Sequence, residues 1–546
     1  MSDYSASAAG RHFGCPNCGG GLRYDIVTEK MICDRCGAAT EISQIADAPA
    51  AEDMIEVTEY HCPQCGAMVY STDTSATGFC SFCGSDVILE GRLGKTRRPA
   101  AIVPFRVTRE DCEAHYREHL KHYHLMPKEL KSAETISHFR PVYVPFWSYD
   151  VKSSGVATLK GHKSYTKGHY QYTEEYKLSM HADIDQKNIL YDASTAFEDE
   201  TATMLQHTAA DAKPFHSAYL SGFYAQAADV PAETYEDEAA AAAVRIFMDR
   251  VKEEYEMDSV EMTGNIRHAF GLPDAQFKKK LVMLPVWLLA HRQGARVIYT
   301  AVNGCDGRVV CDVPVSNPRI SGVIAGIAVL LFLLLNRLLT MKPDLLMVAC
   351  AMLLMITQLI FSSAQTALNN RRTRAFEPDF TGDAPAFVGP AQQLLTRKKN
   401  SIAASGGVMK KALGNIGSVL SILFIVLFLL SSGDDSALSG MFSLRGAQGR
   451  TILTAVMGVM LIIMVIYTVV RISRGNSGPK LPRILSCAAC AAGVLFLFLG
   501  LAEDILYYGC AALMLAAVIW ELLSITRAHN EYASRPVPFF KEESAV

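Results

Sequence analysis

Within residues 15–83, eight of the chain's 15 cysteines form four Cys-x-x-Cys pairs. Cys15, Cys18, Cys33 and Cys36 are followed by Cys62, Cys65, Cys80 and Cys83. Both sets have spacing x2, x14, x2, and each cysteine recurs 47 residues on. Four thiolates from two knuckles make a closed tetrahedral metal site. They leave no position for water or substrate, which is the structural-zinc arrangement. Iron in a rubredoxin-like site uses the same ligands. Gly19, Gly37, Gly66 and Gly84 follow the second cysteine of each pair, where a tight turn aims backbone N–H groups at sulfur. A ribbon of this size buries too little core to fold alone, so the metal supplies much of its folding free energy. Two zinc ribbons are expected, at 10–44 and 57–91, with two structural Zn2+ ions. Paired thiolates also favour a reducing compartment over a disulfide framework.

Charge argues against nucleic acid. Residues 1–90 hold four basic and thirteen acidic side chains, a balance of −9. Phosphate binding requires a basic face. Arg92, Lys95, Arg97 and Arg98 read as a solvated linker. Gly94-Lys95-Thr96 matches the end of a phosphate-binding loop, but its first glycine position holds Leu89. Pro99 and Pro104 also oppose the helix that should follow. No ATPase site is expected here.

Residues 99–318 mix strands and helices and predict an α+β domain. "REDCEAHYREHLKHYH" and the alanine-rich segment from Glu233 read as helices. "AIVPFRV", "PVYVPFWSYDV" and the stretch from Lys280 read as strands, with turns at Gly294 and around Asn303–Gly307. "VYVPFW" and "VMLPVW" resemble each other and hint at a duplicated strand. His115, His119, His122 and His124 cluster on the first helix and read as an exposed face. Cys305 and Cys311 lack knuckle spacing and read as buried or free thiols. Trp147 and Trp287 read as core. No nucleophile elbow and no dinucleotide fingerprint occur, so no catalytic residue is assigned and the chain is read as a non-enzyme.

The last third is different. Apolar runs at about 320–339, 345–366, 416–432, 452–470, 484–502 and 505–523 each match the length of a membrane span. Together they predict an all-α six-helix transmembrane domain over 320–525, with a basic loop at 368–415 and a tail at 526–546. Lys and Arg number 15 in one set of loops and tail against 4 in the alternate set. That asymmetry places both termini in the cytoplasm. The N-terminus has no apolar signal region, so no secretory signal is expected. Arg337 and Glu521 sit near run ends and read as interfacial. Gln358 and Gln365 read as packing residues. Uncharged span centres favour an anchor over a transport pathway.

The string of motifs has a relative. The tandem "CP.CG…C..CG" ribbons, "EGRLGKTRRPAAIVPF", "PVYVPFWSYD", "SAYLSGFYAQAADV" and "LPVWLLA…YTAVNG" resemble bacterial TFIIB-type zinc-ribbon membrane proteins. That family is loosely labelled primosomal or helicase-like, and the resemblance covers about residues 10–318. It implies that the eight ribbon cysteines are the metal ligands, with no assigned reaction. Some relatives are associated with phage-shock protein A systems that protect the envelope. The expectation is a multi-pass bacterial inner-membrane adaptor or scaffold that binds protein partners on the cytoplasmic face. A membrane-tethered nucleic-acid binder and a transporter or lipid-handling protein are the alternatives.

Overall fold

The computed structural model describes residues 13–45, 54–71, 80–85 and nearly all of 90–338. Helical segments at 346–358, 480–499 and 504–532, the tail to 537, and scattered positions between 454 and 465 complete it. The basic loop 368–415 and the predicted span 416–432 lie outside the described residues.

The first ribbon is a three-stranded antiparallel sheet of β1 (Leu22–Asp25), β2 (Lys30–Cys33) and β3 (Ala39–Thr40). Asp25 closes its hairpin by accepting from Thr28 N and Oγ1 at 2.9 and 2.7 Å.

All other strands belong to one 13-stranded sheet. They are β4 (Met54–His61), β5 (Met68–Ser71), β6 (Glu90–Arg97), β7 (Ala101–Ile102), β8 (Arg140–Lys167), β9 (Tyr170–Asp192) and β10 (Lys213–Pro214). β11 (Tyr224–Ala225), β12 (Ser259–Met262), β13 (Gln276–Gln293), β14 (Arg296–Asn303), β15 (Val309–Cys311) and β16 (Arg535–Pro536) follow. The second ribbon is thus built into the main sheet, because β5 pairs with β11 through Tyr70 and Ala225. The stretch resembling a phosphate loop is strand, not loop or linker. Gly94, Lys95 and Thr96 in β6 face Val57, Glu56 and Ile55 in β4. The Glu59 carboxylate lies over Gly94, in space that a Cβ there would share only if the Glu59 side chain moved aside.

The two similar stretches are direct neighbours. β8 and β13 pair antiparallel with Val144 opposite Leu284, so "VYVPFW" and "VMLPVW" are related by a local two-fold through that pair. Their tryptophans point to separate cores, where Trp147 Nε1 donates to Val230 O at 2.8 Å and Trp287 Nε1 to Val107 O at 3.0 Å. Indole burial with its N–H satisfied is a packing role. The β8–β9 hairpin, 28 and 23 residues long, was not foreseen past Val151.

Helix α1 (Arg109–Lys121) starts at a capping box of Thr108 and Asp111 and buries Cys112, Tyr116 and Leu120 along one face. Two short helices, α2 (Ala133–Ile136) and α3 (Asp199–Leu205), follow. Helix α4 (Glu236–Glu254) begins with three acidic residues and lays its alanine face on β8 and β9. After α5 (Ile266–Ala269) come the apolar helices α6 (Asn317–Leu338), α7 (Leu346–Gln358), α8 (Lys480–Leu499) and α9 (Asp504–Tyr532).

The six-helix transmembrane domain is not what the structure holds. Among the described residues, one helix, α9, is long and apolar enough to cross a membrane. Among the described residues, α8 and α7 contribute only the shorter apolar stretches Cys487–Leu499 and Leu346–Gln358. α7 is described only as far as Gln358. Hydropathy finds apolar runs, but a span also needs an uninterrupted helix of sufficient length. α9 runs on to Tyr532, and Glu521 lies within it at 0% exposure.

Candidate metal centres

Each ribbon is made from two copies of one backbone turn. The N–H of the glycine after each pair donates to the carbonyl of its first cysteine. These bonds are Gly19 to Cys15 (2.8 Å), Gly37 to Cys33 (2.9 Å), Gly66 to Cys62 (2.8 Å) and Gly84 to Cys80 (3.0 Å). The first cysteine's own N–H donates to the residue five positions on: Gly20, Ala38, Ala67 and Ser85. The four glycines have φ between 67° and 74°, a region that other residues enter only at a cost.

The turns bring all eight predicted cysteines into two groups of four. Within each group every sulfur lies within 4.8 Å of the others, so each group can hold a metal ion. Cys15 and Cys36 sulfurs are 3.7 Å apart and those of Cys18 and Cys33 are 3.5 Å apart. In the second group Cys62–Cys83 and Cys65–Cys80 are both 3.8 Å apart. A tetrahedron with metal–sulfur bonds of about 2.3 Å has edges of about 3.8 Å, close to these four separations, so each donor set is consistent with zinc. These separations are far beyond a disulfide bond of about 2.05 Å. Hydrogen bonds to the backbone, chiefly the Cys36 N–H, hold the Cys33 thiol down to about 6 against the opposing effect of burial.

The two centres differ in their surroundings. In the first, Cys15 and Cys33 are buried but Cys18 is half-buried and Cys36 is exposed. This ribbon rests on the segment 213–223. Ser221 Oγ donates to Leu22 O at 2.7 Å, Tyr24 packs edge-on to Tyr219, and Lys213 pairs with Glu29 at 2.6 Å. In the second centre all four cysteines are at most 2% exposed. Tyr60, Ala67, Val69 and Phe82 surround them, with Tyr224 and Val537 against the cluster. The Cys80–Cys83 knuckle sits on β13 and β14. A Cβ on Gly84 would meet Ala290 O at 2.8 Å, Arg292 Nη1 donates to Ser85 Oγ at 2.7 Å, and Tyr299 donates to Phe82 O. Burial pushes the Tyr299 phenol up, and the neighbouring Cys65, Cys80 and Cys83 add to it. Arg535 lies over the Tyr299 ring at 5.2 Å, and burial lowers its guanidinium to about 10.

Sequence reasoning picked out the eight cysteines that the structure gathers into two groups, but none of the residues packed around them. Ser85, Arg292, Tyr299, Arg535 and Val537 come from three distant parts of the chain and carry no local signal. The α1 histidines are not in a metal-competent group among the described residues. His119 is partly buried beside Tyr123, and desolvation lowers its pKa.

No protein-family model matches the chain, and no solved structure matches it. It is similar to the Bacillus subtilis (strain 168) "Uncharacterized protein YdjG". Identity is 29% over 329 residues, covering 58% of this chain and 93% of the relative.

Proposed function

We propose that this protein is a membrane-anchored zinc-ribbon adaptor of the bacterial inner membrane. In this reading the second centre is a structural zinc and the first ribbon presents a zinc-shaped knuckle to a protein partner. The observation that carries it is the contrast between the centres. One tetrad is sealed inside the sheet, while the other exposes Cys36 and part of Cys18 at a surface. Both are closed four-sulfur sets, which suits shape and folding rather than catalysis. Held by these residues, zinc would supply cross-linking of the two knuckles in each ribbon.

Anchoring rests on the apolar helices. Their buried side includes Ala489, Cys490, Ala511 and Met514, and Gly493 is packed so closely that a Cβ would meet Met457 and Met514 at 2.8 Å. Their outer side carries Phe498, Ile505, Leu513 and Trp520, each more than 40% exposed. Small residues inside and large apolar residues outside suit lipid better than water. Chain topology orients the anchor. The sheet domain is left at Asn317 and re-entered at Asn530, and both junctions lie on one face of it. The resemblance to envelope-associated ribbon proteins suggests envelope stress as the setting.

The test pairs cell fractionation with affinity purification from solubilised membranes. Wild type should stay with membranes after an alkaline wash and bring a defined protein set. The Cys15→Ser/Cys18→Ser variant should stay in membranes but lose that set. Release of wild type by the wash removes the anchor. An unchanged set in the variant removes the ribbon's role, and nucleic acid in its place favours the tethered nucleic-acid binder.

A further inference from the structure

We infer that the β8–β9 arm is a self-association surface, in which β9 pairs antiparallel with β9 of a second copy about a two-fold axis at Tyr176. This goes beyond the adaptor reading and does not depend on it.

The arm outgrows its support. β13 accompanies β8 from Arg140 to Lys152, and β12 accompanies it from Leu159 to His162. The segment after α4 ends there as well, with Asp258 bonded to Ser164 N at 2.5 Å and Glu256 paired with Lys163 at 3.2 Å. Beyond this point only two strands continue, and a bare two-stranded ribbon is marginal in water. Among the described residues, β9 has β8 as its one strand neighbour, so its other edge offers free backbone N–H and C=O groups.

The two faces of the arm differ. On β9, Leu178, Met180, Ala182 and Ile184 pack into the core with α4. The same face continues past the helix as Tyr176, Glu174, Tyr172 and Tyr170, joined by Tyr165 from β8, and Tyr176 donates to Glu174. The four tyrosines are 39% to 72% exposed, and Tyr165 stacks on Tyr172 at 5.5 Å. An aromatic face, broken by one carboxylate, therefore runs on uncovered.

The opposite face carries an incomplete row of charges. Across the sheet, Glu261 faces Lys160, and Lys160 faces Lys177. Like charges directly opposite are destabilising, and among the described residues no carboxylate pairs with Lys177. One step along, His162 faces Glu175, 4.0 Å away.

A strand that pairs antiparallel with its own copy must be centred on a residue for its outward backbone groups to meet. Centring on Glu174 or Glu175 sets two carboxylates face to face, and centring on Lys177 sets two lysines face to face. Centring on Tyr176 places Lys177 opposite Glu175 of the second copy, twice by symmetry. The row then reads Glu261, Lys160, Lys177, Glu175 of the second copy, His162 of the second copy. On the other face, Tyr176 meets its equivalent, Leu178 meets Glu174 and Tyr172 meets Met180, so aromatic and apolar side chains continue across the axis around one carboxylate on each side. A two-fold, self-complementary contact is the commonest symmetry of homo-oligomers.

The experiment is charge reversal on the full chain in detergent, with mass measured by light scattering at low ionic strength. Wild type should be a dimer. Lys177→Glu and Glu175→Lys should each weaken it about tenfold or more, because each makes both cross-axis pairs repulsive. The double variant should restore the dimer. Both positions are exposed, and circular dichroism with metal content checks that each variant folds. As a second measurement, Tyr176→Cys should give a disulfide-linked dimer on mild oxidation, since the residue faces itself. A monomeric wild type, single reversals that leave the dimer intact, or a double variant that stays monomeric would each overturn the inference.

Discussion

Asn530 holds Val315 by both of its backbone groups. Val315 N donates to Asn530 Oδ1 at 2.7 Å, and Asn530 Nδ2 donates to Val315 O at 2.8 Å. Val315 lies two residues before α6, and Asn530 is in the last turn of α9. One side chain therefore ties the chain's exit from the sheet domain to its return 215 residues later. Nearby, His529 Nε2 lies 3.2 Å from Val313 O, and Arg319 Nη1 donates to Met126 O at 2.8 Å. The apolar helices are thus held to the domain at a small, hydrogen-bonded joint.

Asn530→Ala should loosen that joint. It leaves a partly buried N–H and C=O without partners, which costs about 1–3 kcal/mol for each group left unsatisfied. Hydrogen exchange should rise at 313–317 and 527–532 while the β8–β13 core stays protected. Protection unchanged at Val315 would show that the joint is held by something else.

Metal should leave in two phases. A chelator reaches the first centre through exposed Cys36, whereas the second has no ligand more than 2% exposed. With a colorimetric zinc indicator, one equivalent should appear quickly and the second only at the rate of unfolding. Cys36→Ser should remove the fast equivalent and keep the fold. Cys65→Ser should lose the slow equivalent and with it the docking of Val537 and the strand β16. Equal release rates would contradict the contrast in burial.

Two glycines separate strain from packing. Gly37 and Gly84 both have positive φ, 71° and 67°. A Cβ on Gly37 meets nothing within 4 Å, while on Gly84 it meets Ala290 O at 2.8 Å and Arg292 N at 3.1 Å. Gly37→Ala should cost about 1 kcal/mol from the left-handed backbone alone. Gly84→Ala adds a backbone clash typical of overpacking, a further cost of about 1–3 kcal/mol. Melting temperatures of the metal-loaded variants give the difference. Equal losses would mean that the second ribbon is not seated on β13.

The two cysteine tetrads were legible because their signal is local. Two residues between cysteines, and a glycine after them, dictate a knuckle whatever surrounds it. The course of α1, α4 and the β13–β15 meander was legible for the same reason, through caps, alanine content and turn residues. Nothing local says that the second ribbon joins the main sheet. That depends on Tyr70 meeting Ala225, and on Ser71 Oγ reaching Phe223 O at 2.9 Å, 152 residues away. Past Val151 the inner part of β9 does alternate, with Leu178, Met180, Ala182 and Ile184 between polar residues, a strand signal left unread; only the outer part of the arm, rich in Lys, Ser, Thr and Tyr, lacks that pattern. Of the six apolar runs, only the last coincides, among the described residues, with a helix long and apolar enough to span. Glu521 fell at the end of a run in sequence but inside a 29-residue helix in space.

The outer face of α9 gives the decisive test of the anchor. Leu513 is 62% exposed in the middle of that helix, while Ala517 nearby is 1% exposed. If lipid covers this face, Leu513→Arg places a charge in hydrocarbon. The cost is about 2.5–3.5 kcal/mol on the insertion scale, enough to shift a marginal anchor out of the membrane. If water covers it, the same change is an ordinary surface substitution, within about 0.5 kcal/mol of neutral. The expected outcome is a large fall in the fraction that sediments with membranes, with the purified sheet domain still holding two metal equivalents. A variant that partitions like wild type and becomes more soluble would place α9 in water and remove the anchor.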